Sequence, residues 1–156
     1  MRTDLSKATF IIPIRIESDD RMRNVITSLA FLLENFETNI IVKEVDSRSI
    51  FQEDILPILN DICNVPVDLV HIFEKSHDPL FHRQRVLNEM IMEAKTEIVV
   101  NYDCDVILPI ESYVLSYTGI MEGIYDVVYP YGSGLYQKKV AATDITVSKF
   151  LETGDY

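Results

Sequence analysis

Short apolar runs alternate with amphipathic stripes of helical period along most of this sequence, and few folds accommodate that alternation. Residues 9–16 form an isoleucine-rich run bounded by charges, the mark of a strand buried on both faces. Met22, Val25, Ile26, Leu29, Leu32, Leu33 and Phe36 then recur at helical steps behind Ser18 or Asp19, either of which suits an N-cap. The pattern predicts further strands at 39–45, 68–73 and 97–102. It predicts helices at 51–62, despite Pro57, and through Val86, Leu87, Met90, Ile91 and Ala94. A helix at 110–122 stopped by Gly123 and a strand at 126–129 complete the series. Strands alternating with helices imply an α/β fold with a mainly parallel sheet flanked by helices. Ligands of such sheets bind beyond the carboxyl ends of the strands. Residues 13–17, 44–47, 74–77 and 103–105 are therefore where function is to be sought.

The 47% hydrophobic content, the five glycines and the lack of internal repeats or low-complexity linkers fit one domain over residues 1–156. A formal net charge of −11, with 14 basic against 25 acidic residues, argues against nucleic acid as a partner, since gripping phosphate backbones takes concentrated Lys and Arg. No early stretch reads as a signal peptide, because the apolar run at 10–14 is short and meets Arg15. No stretch approaches the ~20 apolar residues of a membrane span. Cys63 and Cys104 form no motif and suit a reducing compartment, so the expectation is a cytoplasmic protein.

Asp103-Cys104-Asp105 directly follows the fourth predicted strand, so both carboxylates emerge at a strand's carboxyl end. Two acids one residue apart can serve one hard cation, Mn2+ or Mg2+, together with the sugar-phosphate it holds. Thirteen aspartates in 156 residues make about one D-x-D by chance, so placement rather than presence carries the reading. Upstream, Phe81-His82-Arg83-Gln84-Arg85 opens a helix. Its arginines can pair with phosphates in forked geometry, and an exposed Phe81 can lie against a base. Arg15, after Pro13 and Ile14, can reach a diphosphate, although Glu17, Asp19 and Asp20 offer it surface ion pairs instead. Glu44 or Asp46 is placed to receive hydrogen bonds from a base or ribose. His71 reads as a satisfied core histidine, whereas His77 and His82 flank a loop near the site. Three histidines at irregular spacing do not make a zinc centre.

Three blocks, taken in order, resemble the GT-A glycosyltransferases, family 2-like and nearest the galactosyltransferase and N-acetylgalactosaminyltransferase branch. Ile11-Ile12-Pro13-Ile14-Arg15 resembles that branch's I-I-P-F-R. Phe81-His82-Arg83-Gln84-Arg85-Val86-Leu87-Asn88 resembles its F-N-R-x-x-x-L-N, and Asp103-Cys104-Asp105-Val106-Ile107-Leu108-Pro109 its D-V-D-L-I-P. The resemblance covers roughly residues 9–135 and implies a Rossmann-like GT-A sheet that binds a UDP-sugar donor. It implies that Pro13 and Arg15 touch the nucleotide and its diphosphate, Phe81 the uracil and Arg83 the uridine diphosphate. Asp103 then lies near ribose and metal, and Asp105 ligates Mn2+ or Mg2+. The implied reaction is transfer of a hexose or N-acetylhexosamine to a saccharide or other acceptor hydroxyl, with inversion.

The chain departs from that pattern at Ile14, where the branch has an aromatic, and at Glu17, where it has a second base. The later acidic motif that supplies the catalytic base has no match. Asp144, Glu152 and Asp155 correspond to nothing in it, and Gly132-Ser133-Gly134 with the 150–155 stretch resembles only the approach to it. The expectation is therefore a nucleotide-sugar-binding portion truncated before the acceptor and base region, or completed by a partner domain, with no catalytic residue assigned. Two other functions fit less of the sequence. One is a nucleotide-sugar-binding domain without catalysis. The other is a haloacid dehalogenase-type phosphatase, whose D-x-D-x-[TV] motif Asp103 to Ile107 approaches.

Overall fold

The computed structural model describes residues 1–130, 139–141 and 143–153. The chain divides into two compact units, Met1–Val106 and Ile107–Tyr156. The first is an α/β unit. Its four strands, β1 (Thr3–Ile14), β2 (Phe36–Asp46), β3 (Val70–Lys75) and β4 (Ile98–Asn101), form one sheet in the order β3-β2-β1-β4. Every neighbouring pair is parallel. β1 is central, and residues Phe10 to Ile14 have no polar side chain because both faces are covered.

Alternation along β1 divides the core. Ile11, with Ile41 and Val45 of β2, packs against Val86, Leu87 and Met90 of α3 (Arg83–Glu93), joined by Ile72 and Phe81. Phe10, Ile12 and Ile14 point the other way, as period-two geometry requires. The apolar stripe Val25, Ile26, Leu29, Leu32 and Leu33 of α1 (Asp19–Asn35) is buried as well. Ser18 caps α1 by accepting a hydrogen bond from the Arg21 N–H at 3.2 Å, and Asp19 and Asp20 complement the helix dipole.

The helix expected at 51–62 forms in two pieces: a single π-helical turn, Phe51–Ile55, and then α2 (Leu56–Ile62). Pro57 explains the break, because its ring removes an N–H. It sits in the first turn of α2, where that donor has no intrahelical partner. β1 starts earlier than expected, at Thr3, and ends at Ile14, so Arg15 leaves the sheet. β4 ends at Asn101, opposite Ile11. The Tyr102 N–H still reaches the Ile11 carbonyl at 3.2 Å. Two residues on, Pro13 faces the same side, where β4 has already stopped, so its missing N–H costs no ladder bond. The two strand ends therefore part just beyond this point.

In the second unit α4 (Ile110–Met121) is followed by Gly123, whose φ of 69° ends the helix in the left-handed region. Gly119 lies so close to Tyr125 that a Cβ there would sit 2.8 Å from the ring. The strand expected at 126–129 does not form. Val127 and Tyr129 are 69% and 78% exposed, and an extended segment without a partner strand is not stable in water. A helix that the apolar pattern did not suggest, α5 (Asp144–Thr153), starts behind Thr143, whose hydroxyl accepts from the Thr146 N–H at 3.2 Å. Gly132-Ser133-Gly134 and Asp155 lie outside the described residues. No helix among the described residues is long and apolar enough to cross a membrane.

Candidate functional site

The strand order β3-β2-β1-β4 reverses between β1 and β4. In open parallel sheets the crevice at the carboxyl ends of such a pair is where ligands bind. The sequence places Arg15 after one of these strands and Asp103 to Asp105 after the other.

The acidic turn is held from several sides. Tyr102 is buried, with its ring edge-on to Phe10 at 5.5 Å between centroids. The Val106 N–H closes the turn onto the Asp103 carbonyl at 3.3 Å. Ser28, buried on the inner face of α1, donates its hydroxyl to the Cys104 carbonyl at 2.7 Å. Burial pushes the Cys104 thiol above its usual value, which disfavours the reactive thiolate. Cys104 is half-buried, while Asp103 and Asp105 on either side of it are both exposed. Asp103 pairs with Arg83, whose Nη2 also donates to Asn101 Oδ1 at 3.3 Å. Asp105 makes no hydrogen bond or ion pair among the described residues.

Arg83 stands in the first turn of α3, and that helix is fixed to the sheet by a ring of alternating charge. Lys43 of β2 bonds Glu89 and lies 3.3 Å from Glu74 of β3, while Arg85 reaches Glu74 at 2.7 Å and Glu89 at 2.8 Å. Arg85 holds the Glu74 carboxyl below its usual value, against burial and with help from Lys43. Of the two arginines expected near phosphate, Arg85 is thus occupied in anchoring α3, and Arg83 faces the acidic turn.

Arg15 is buried, and its guanidinium lies 5.5 Å from the centroid of the Phe81 ring. Pro13 lies within β1, paired with Lys43 of β2. Glu44 does not join the site. It is fully buried, with Oε1 accepting from the Phe51 N–H at 3.0 Å, and Oε2 meeting the Ser49 hydroxyl at 2.8 Å and His71 Nε2 at 3.2 Å. Burial raises the Glu44 carboxyl, but the bonds from His71, Phe51 and Ser49 outweigh it and hold the group below its usual value. The expectation that Glu44 receives a nucleotide is therefore replaced by a structural role, since its acceptor sites are spent on the loop after β2. Asp46 is the acid at that corner nearer solvent, and it accepts from the Ile16 N–H at 3.4 Å. His71 stacks on Phe51 at 4.4 Å, as a core histidine does. His82 bonds Asp78 at 3.1 Å, and His77 is exposed.

Ser28, Asn101 and Asp78 are the contributors that the sequence reading passed over. Ser28 alone carried a signal: a polar residue three after Val25 and four before Leu32 falls within the apolar stripe of α1. A cavity of about 350 Å³ lined by Arg2, Ser6, Phe36, Asn39 and Asp68 lies at the amino ends of the strands, away from the crevice.

Among the described residues no three His, Cys, Asp or Glu side chains are grouped to hold a metal ion. Two exposed carboxylates on one turn nevertheless match what Mg2+ or Mn2+ takes from a protein when phosphates and water complete the shell. No family model matches the chain, and neither a curated protein nor a solved structure matches it.

Proposed function

We propose that this chain binds a UDP-sugar together with Mn2+ or Mg2+ at Asp103 and Asp105 and, where a catalytic base is supplied to it, serves transfer of the hexose or N-acetylhexosamine, with inversion, to an acceptor hydroxyl. The observation that carries the proposal is the exposed D-x-D turn at the end of β4, beside the strand-order reversal, with the Arg83 guanidinium on its first carboxylate. The choice of uridine, of sugar and of inversion follows the resemblance of the three sequence blocks to the GT-A enzymes.

When bound, the metal supplies positive charge to the departing diphosphate. The protein's own groups act around that event. The Arg83–Asp103 pair is solvent-exposed, and such pairs contribute only about 0.2–1 kcal/mol, so it opens at little cost. Arg83 can then turn to the diphosphate, exchanging one anionic partner for another, while Asp103 turns to metal or a ribose hydroxyl. Asn101 Oδ1 retains the guanidinium at the mouth of the crevice through the exchange. Phe81, half-buried beside α3, offers ring surface to the base.

Calorimetric titration of UDP with and without Mn2+, on the wild type and on Asp105→Asn, tests the reading. The expected result is Mn2+-dependent binding that weakens at least about tenfold in the variant, a loss of ~1.4 kcal/mol. Absence of UDP binding under every condition would overturn it. Metal-dependent binding without turnover of any UDP-sugar would leave the non-catalytic binding domain as the function.

A further inference from the structure

Arg15 carries more than its place after β1 suggests. Its side chain belongs to a residue only 8% exposed, yet none of the ion pairs among the described residues includes it. Its Nε donates to the Val45 carbonyl at the end of β2 at 2.9 Å. Its Nη1 donates to the Asp78 carbonyl at 2.9 Å, and the guanidinium sits over the Phe81 ring. One side chain thus ties the end of the sheet to two points of the loop that leads into α3.

Apart from the apolar packing of Phe81 against the core of β1, β2 and α3, that loop has few other ties. Its remaining hydrogen bonds are local: Asp78 N–H to Ser76 Oγ at 3.1 Å, Leu80 N–H to Asp78 Oδ1 at 2.9 Å, Asp78 to His82 at 3.1 Å, and Arg83 N–H to the Phe81 carbonyl at 2.8 Å. These shape the loop without fastening it to the sheet. Ser76 N–H does bond the Asp46 carbonyl at 2.8 Å, but that contact only extends the β2–β3 ladder to the loop's start. A guanidinium suits the remaining task, because its planar fork can serve two carbonyls while its face lies on an aromatic ring.

We propose that Arg15 is a positioning residue that acts on the nucleotide's base through the 76–82 loop, by holding Asp78 and Phe81 in place, and that it does not touch the diphosphate. The inference rests on the UDP-binding reading above and departs from the phosphate contact implied by resemblance. Two of the guanidinium's nitrogens are committed to backbone carbonyls of the protein itself. On this proposal, what the donor gains from Arg15 is a Phe81 fixed relative to Asp78 and the end of β2.

The experiment compares uridine and Mn2+–UDP affinities, by NMR titration, in the wild type, Arg15→Met, Arg15→Lys, Phe81→Leu and the Arg15→Met/Phe81→Leu double variant. Backbone amide exchange at Leu80 and Arg83 is followed in the ligand-free proteins. Arg15→Met is expected to weaken uridine and Mn2+–UDP by the same factor, about tenfold, and to add little once Phe81 is already Leu. Exchange at Leu80 and Arg83 is expected to accelerate while the amides of β1 and β2 keep their rates. Arg15→Lys is expected to behave like Arg15→Met, since an ammonium cannot span both carbonyls and the ring. Weakened Mn2+–UDP binding with unchanged uridine binding would overturn the proposal in favour of a direct phosphate contact. Unchanged exchange would overturn it from the other side. If the wild type binds neither ligand, the UDP reading and the base role of Arg15 both fall. The exchange rates then still report separately whether Arg15 fastens the loop.

Discussion

Replacing Glu44 separates a structural carboxylate from a ligand-binding one. In Glu44→Leu the Phe51 N–H loses its acceptor, and Ser49 and His71 lose theirs. The buried N–H has no water to turn to, and an orphaned buried donor costs about 1–3 kcal/mol. Ser49 and His71 lie nearer the surface and recover part of their loss from solvent, so the total expected is about 2–4 kcal/mol. With a urea m-value of about 2 kcal/mol/M, the unfolding midpoint should fall by about 1–2 M at unchanged m. Glu44→Gln can keep its oxygen toward Phe51 and turn its amide to Ser49 and His71, losing only the charge, and should cost about 1–2 kcal/mol. The Glu44 carboxyl lies below its usual value in the folded state, so its stabilisation is complete above the unfolded carboxyl value of about 4.3. As pH falls through the lower folded value that stabilisation is lost, and the gap between wild type and Glu44→Gln should close there. Mn2+–UDP affinity of the folded Glu44→Gln protein should match wild type. A midpoint shift worth less than about 0.5 kcal/mol in Glu44→Leu would refute the assignment. So would loss of nucleotide binding in a fully folded Glu44→Gln.

Two further outcomes follow from the same contacts. Ser28→Ala removes the hydroxyl that holds the Cys104 carbonyl, and should cost about 0.5–1.5 kcal/mol in urea unfolding and weaken Mn2+–UDP severalfold by calorimetry. Arg83→Met frees Asp103 from its exposed partner, so affinity for Mn2+ alone should rise by up to about fivefold while affinity for Mn2+–UDP falls.

Much of the first unit was legible because its two inner strands are largely buried on both faces and its longest helix on one. A central strand such as β1 has no solvent side, so its composition alone marks it. α1 shows both its cap and its stripe. Edges were less legible. β3 and β4 lie at the margins of the sheet, where half-exposed residues blur the apolar run. β3 accordingly begins at Val70 rather than at residue 68, and β4 is only Ile98–Asn101. The run at 126–129 misled for a related reason. Val127, Val128 and Tyr129 favour extended backbone, but propensity records how well a side chain fits a pleated surface, and that fit requires a neighbouring strand.

The candidate site was legible where it depends on carboxylates and cations at strand ends, and illegible where the protein's own backbone is the partner. Asp103 and Asp105 follow β4 in sequence, so their exposure at its carboxyl end could be read from one local pattern. Glu44 shows the limit of that approach. It and Asp46 stand two residues apart in the same strand, and no pattern of residue types distinguishes the buried one from the one near the rim. The difference lies in His71, which comes to Glu44 once β2 and β3 pair, and in the Phe51 N–H, which the turn after β2 brings back to it. Arg15 shows it more sharply, because two of its partners are the carbonyls of Val45 and Asp78, groups that every residue carries. A guanidinium satisfied by side chains advertises its acids in the sequence. One satisfied by main chain leaves no such trace, and the acids beside it in sequence, Glu17, Asp19 and Asp20, point to a surface ion pair that Arg15 does not make.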